Sequence, residues 1–155
     1  ILLIYMRLCA MQPDVKRLFS YHGAEHKTIF AYEHGKELTV ENVRPESRFH
    51  PRCGTSFLLV VMVVSILVNS VVKVSATLPR IGCHLLLLPL VVGISYEINR
   101  WCGMHDNKLS AFLSAPGKWL QHITTSEPDD GMIECAIRAM ELVIPDEKGS
   151  DEWGK

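Results

Sequence analysis

The sequence has almost no net charge: sixteen Lys and Arg against seventeen Asp and Glu leave −1 over 155 residues. A chain so balanced carries no electrostatic footprint for nucleic acid, so a nucleic-acid partner is not expected. Cysteine is scarce and odd in number. Cys9, Cys53, Cys83, Cys102 and Cys135 are widely spaced, which excludes a disulfide framework and fits a reducing compartment. There is no phosphate loop, no G-x-S-x-G elbow and no dinucleotide fingerprint. No internal repeat or low-complexity stretch appears. The chain opens on "ILLIYMRLCAM" without a methionine. That stretch lacks the order of a signal peptide and reads as the end of a longer apolar helix, with its earlier part expected upstream.

Charge is also missing locally. Residues 55–72 and 81–96 contain no Asp, Glu, Lys or Arg, and the overall mean hydropathy is +0.14. The run "FLLVVMVVSILV" has no polar face, which a core helix of so short a chain would show. The two runs are slightly shorter than the roughly 20 residues of a spanning helix, but Lys73, Arg80 and Arg100 can snorkel and lengthen them. They predict a membrane hairpin. Seven Lys/Arg fall between Gln12 and Ser56 and six follow Asn99, which puts the hydrophilic parts on the cytoplasmic side of the cytoplasmic membrane. The expected fold is mostly α: one domain over 1–155. Its parts are a truncated apolar helix (1–11), a motif helix and loop (12–56), the membrane hairpin (57–98) and a cytoplasmic helical tail (99–155).

Within that frame, "QPDVKRLFSYHGAEHKTIFAYEHG" reads as a single helix with Asp14 as N-cap and Gly35 as its stop. "LTV" at 38–40 suggests a short strand. "HPRCG" is a tight loop leading into the first apolar run, and His84, within the second, is expected to be a core histidine bonded to backbone. Residues 99–131 read as short helices and turns. Pro128 suits the first turn of a final helix. Ser126 or Glu127 would cap it, Met132, Ile133, Ala136, Ile137, Met140, Val143 and Ile144 would form its apolar stripe, and the tail "PDEKGSDEWGK" would fray.

The chemistry concentrates in "YHGAEHK". His22 and His26 are one helical turn apart and lean over the same turn, so two imidazoles can reach one divalent ion. Glu25 beside them can serve as a third ligand or as the general base for a water on that ion. "HPRCG" adds His50 and Cys53 at ligand spacing in a Pro/Gly turn. Antiparallel pairing of the apolar runs brings Glu97, at the end of the second, to the membrane face where Cys53 precedes the first, and a carboxylate at that depth has a partner or a function. The expected site is therefore zinc on His22, His26, His50, Cys53 and Glu97, with Glu25 catalytic.

The stretches "YHGAEHK", "HPRCGTSF", "GISYEINR" and "LQHITTSEP" together resemble the bacterial YqhQ family. That resemblance implies a polytopic, metal-dependent membrane protein and points to the same six residues. Three functions are compatible with the residues. The first is a zinc-dependent membrane hydrolase acting at the cytoplasmic interface. The second is a non-catalytic scaffold in which a closed metal site fixes the cytoplasmic loops for a protein partner. The third is a transporter or channel with His84 and Glu97 along an ion path.

Overall fold

The computed structural model describes residues 1–105 and 107–146, with only the backbone of Leu2. The expected fraying of the tail lies mostly outside them. The protein is helical, and the described residues contain no strand. They divide into two compact units, residues 1–50 with 118–155 and residues 51–117.

The first unit is organised around α2 (Pro13–Glu33), which follows the short α1 (Leu2–Cys9). Pro13 occupies the first turn, where its missing N–H costs nothing, and Gln12 rather than Asp14 is the N-cap. The helix stops as the sequence predicts. Gly35 adopts φ +66, Lys36 N–H reaches the Ala31 carbonyl and Gly35 N–H the Tyr32 carbonyl, each at 2.9 Å. This paired closure needs a left-handed residue that glycine adopts without strain. "LTV" is not a strand. Thr39 caps α3 (Val40–Val43) by accepting from Asn42 N–H, so the threonine serves a helix start.

Helix α7 (Asp130–Glu141) lies on α2 and α3. Its cap is Asp129, whose Oδ1 accepts from Met132 N–H at 2.9 Å; Ser126 and Glu127, the expected caps, bind elsewhere. Ile133 and Ile137 of the expected stripe enter a core with Ala24, Ala31 and Val43, flanked by Met132 and Ala136. The helix ends before Val143, which is exposed.

The second unit holds α4 (Gly54–Ser70) and α5 (Thr77–Met104), packed against each other as a hairpin. Among the described residues, α5 is the one helix long and apolar enough to cross a membrane, with mean hydropathy 1.8 over its most apolar window; α4 has 17 residues and is too short by the same measure. The hairpin of helices is present, but length supports a crossing for one of its two arms. Polarity is inverted here. Ser95 is fully buried, its hydroxyl satisfied by the Val91 carbonyl at 2.7 Å, while Leu78, Leu85 and Leu86 are exposed. His84 is exposed too and is not a core histidine.

After α5 the sequence suggested short pieces, yet α6 (Lys108–Thr124) is one helix running from the second unit into the first. Asn107 and Ser110 start it reciprocally: Ser110 N–H donates to Asn107 Oδ1 at 2.9 Å and Asn107 N–H to Ser110 Oγ at 3.1 Å. Pro116 lies in its interior, where it removes one backbone bond, and the helix continues through it.

Candidate metal centre

Helical spacing places His22 and His26 on one face of α2, and the structure brings their rings to 4.4 Å between centroids. Each has a ligand atom within 4.8 Å of the other's. What fixes them is backbone from distant segments. His22 Nδ1 lies 2.8 Å from the Thr124 carbonyl, and His26 Nδ1 lies 2.6 Å from the Arg48 carbonyl. A carbonyl only accepts, so both rings carry a proton on Nδ1 and, when neutral, the lone pair on Nε2. This is how protein-bound metals hold their histidines: the far nitrogen donates to a carbonyl and orients the ring.

The carbonyls are themselves held. Thr124 and Thr125 are buried, and Arg48 Nη1 donates to the Thr125 carbonyl at 2.6 Å. Lys27, on the same helix turn as His26, is buried; its ammonium meets the Arg44 carbonyl at 3.0 Å, the Glu46 carbonyl at 2.9 Å and the Glu127 carboxylate at 3.0 Å. Three acceptors match its three donors, which is what makes its burial tolerable. Ser126 N–H donates to the Phe19 carbonyl at 2.9 Å. Gly23 lets this segment sit against α2, because a Cβ there would collide with the Ser126 carbonyl.

His50 joins the same cluster. Its ring is 5.8 Å from that of His26 and edge-on to Phe30 at 4.6 Å. It is 2% exposed. Its Nε2 lies 3.2 Å from the Glu33 carboxylate, and its carbonyl accepts from Gln121 Nε2 at 2.6 Å. Glu25 is exposed on α2. Cys53 and Glu97 belong to the second unit. Cys53 is buried at the N-cap of α4, with Sγ 3.1 Å from Thr55 Oγ1. Glu97 is exposed on α5 and 3.7 Å from Arg100.

The structure thus gathers His22, His26 and His50 within one unit. The supports Thr124, Arg48, Lys27 and Glu33 have no metal-ligand spacing, and two of them act through backbone carbonyls. The signal available in sequence was the company that "YHGAEHK" keeps with "LQHITTSEP": Gly23, His22 and Lys27 in one meet Ser126, Thr124 and Glu127 in the other.

The family described as "Protein of unknown function (DUF1385)" matches residues 1–146. The chain belongs to this family. The uncharacterized protein YqhQ of Bacillus subtilis (strain 168) is 40% identical over 145 residues, covering 93% of this chain and 46% of that protein. The chain therefore spans less than half the length of this curated relative. No solved structure matches it. The four stretches that resemble YqhQ all lie within the residues matched by the DUF1385 family. Neither description names a reaction, so the chemistry must come from the side chains.

Proposed function

We propose that this DUF1385 protein is a membrane protein that holds a divalent transition metal, zinc by its donor set, on His22 and His26, and that it uses the metal for hydrolysis at the cytoplasmic face. The observation that carries this reading is the pair of Nδ1–carbonyl contacts, 2.8 Å at His22 and 2.6 Å at His26. They leave both rings in the tautomer that binds metal through Nε2. Imidazole with thiolate favours zinc among available divalent ions. Cys53, three residues beyond His50 along the chain, supplies the thiolate, and His50 and Glu97 complete the candidate set. Zinc at these residues would supply Lewis acidity and lower the pKa of water. The protein's own part is to fix the imidazoles, to exclude solvent around the buried His26, and to provide a carboxylate as proton acceptor. Glu25 is the assigned base, and its exposure leaves it open to substrate.

One observation favours a second reading. His26 and His50 are both nearly inaccessible, and a fully enclosed four-ligand site is structural. The scaffold role, with a protein partner at the cytoplasmic face, follows in that case.

Cobalt substitution of the full chain separates the two. An intense thiolate charge-transfer band, lost in Cys53→Ser, and d–d bands shifted by added thiocyanate are expected for an open catalytic site. Bands indifferent to thiocyanate mean a closed structural site. Failure to take up cobalt or zinc at all would remove both readings.

A further inference from the structure

Helix α6 is built inside out. Its buried positions are small or polar: Ser110, Gly117, Gln121 and Thr124, with Leu120 the one large apolar residue among them. Its large exposed apolar residues are Leu109, Phe112, Leu113 and Trp119, with Phe112 at 74% and Trp119 at 56%, beside exposed Lys108, Ala111, Ala115, Pro116 and His122. Residues 109, 112, 113 and 119 recur at helical spacing and make one stripe. A helix between a protein and water shows the opposite distribution. The inner face is close-packed through small residues, since a Cβ on Gly117 would lie 2.6 Å from that of Ser56. Packing of this kind is typical where lipid, not water, surrounds the helices.

Charge identifies what covers the stripe. From Asn107 to Ser126 there is no Asp or Glu, while Lys108 and Lys118 stand one at the start and one beyond the middle of the helix. The helix follows α5, the apolar helix long enough to span, after residues 105–107. With 17 residues and a polar inner face, α6 cannot itself cross a bilayer. A strongly two-faced helix with aromatic and aliphatic residues on one side and lysines at its edges lies in the interface plane.

We propose that α6 is an interfacial helix, with Leu109, Phe112, Leu113 and Trp119 immersed among acyl chains and Lys108 and Lys118 at anionic headgroups. The part of the chain after residue 99 is then not wholly a cytoplasmic tail: its first helix is seated in the lipid surface. This rests on the membrane reading of α5, and the test keeps the two apart.

The full chain, with Trp101, Trp119 and Trp153 replaced by Phe, is reconstituted into vesicles of equal phosphatidylglycerol and phosphatidylcholine. One reporter is Phe112→Trp in α6 and another is Leu88→Trp in α5; a third chain keeps Trp119 alone, so that the result does not hang on one variant. Phosphatidylcholine brominated near the headgroup should quench most emission at position 112 and at Trp119, and more than lipid brominated near the bilayer centre. Position 88 should show the reverse order. Quenching by aqueous iodide but not by either lipid at 112 and 119 would overturn the proposal in favour of a solvent-facing helix. Insensitivity to both would overturn it in favour of cover by protein, including a second copy. If 88 alone is indifferent to the lipids, the spanning reading of α5 falls while α6 keeps its assignment.

Discussion

The two units solve opposite problems with the same secondary structure. In residues 1–50 with 118–155, the buried groups include a lysine, two histidines, a glutamine and three threonines, each held by hydrogen bonds that the fold aims at it. In residues 51–117, the buried groups are small and the large aliphatic side chains are outside. The first pattern concentrates polar chemistry where water is scarce, and hydrogen bonds to these groups offset much of its energetic cost. The second is the distribution that apolar surroundings would favour, and it is what the membrane reading proposed above rests on. The difference teaches that hydropathy alone picks out the helices of the second unit, whereas the first can be understood only through its hydrogen bonds.

The contrast can be broken most severely at the site. His26→Ala should abolish stoichiometric zinc binding, a loss beyond the 10–100-fold that removal of an outer support costs; elemental analysis of the purified chain checks this. Retention of one zinc per chain by the variant would move the site away from α2. Glu25→Gln should keep the metal and abolish turnover, since the amide retains shape but cannot take a proton. If it loses metal instead, Glu25 is a ligand.

In the second unit the decisive change is Leu86→Arg on α5. An exposed residue of a water-soluble helix tolerates arginine within about 0.5 kcal/mol. One facing hydrocarbon should be disfavoured by about 2.5–3.5 kcal/mol at the middle of a span. Membrane-insertion assays of the two versions distinguish these outcomes. The same substitution made at exposed Arg138 in reverse, Arg138→Leu on α7, should leave partitioning unchanged.

A smaller effect is expected at Gly23. Gly23→Ala drives a methyl into the Ser126 carbonyl and should cost about 1–3 kcal/mol of stability. It should also weaken metal affinity, because the displaced segment carries the Thr124 carbonyl. Thermal unfolding in detergent with and without zinc reads both. Asp129→Ala, which removes only the α7 cap, should cost about 1 kcal/mol and leave zinc affinity unaltered.

The smallest effect is on pH. Hydrogen bonding by Lys36, with His34 adding to it, holds the Glu46 carboxyl below the ordinary range despite opposing burial. An unfolded Glu titrates near its usual value of about 4.3. The stabilisation is therefore complete above that pH and disappears as the pH falls through the depressed folded value. Lys36→Met should unfold more easily than the parent at neutral pH, and the two should converge in acid. Parallel denaturation curves at all pH values would contradict the assignment.

Much of this was legible in the sequence. The period of α2, its stop at Gly35 and the two apolar helices follow from local rules, and the i, i+4 histidines follow from the helix. The misses share a physical cause, competition between nearby residues. Asp14 and Gln12 both stand at the entry to α2, and Pro13 settles it by taking the first turn. Ser126 and Glu127 have capping chemistry, but the Glu127 carboxylate is taken by Lys27 and the helix begins only after Asp129, which is its cap. Residues 99–131 read as short helices and turns, yet α6 starts at a reciprocal pair, Asn107 and Ser110, and continues through Pro116. The supports of the site were hidden for another reason. Thr124 and Arg48 contribute carbonyls, and every residue has one, so no composition marks them.

Arg48 ties these supports together. Its carbonyl receives His26, and its guanidinium grips the Thr125 carbonyl, one residue from the carbonyl that receives His22. The two imidazole supports are therefore not independent springs but ends of one linkage. Loosening either transmits to the other, so substitutions at Arg48 and in the 124–125 segment should be non-additive, with a coupling energy in the range of about 0.5–3 kcal/mol for residues sharing a network. The histidine pair is then ordered or released as a unit.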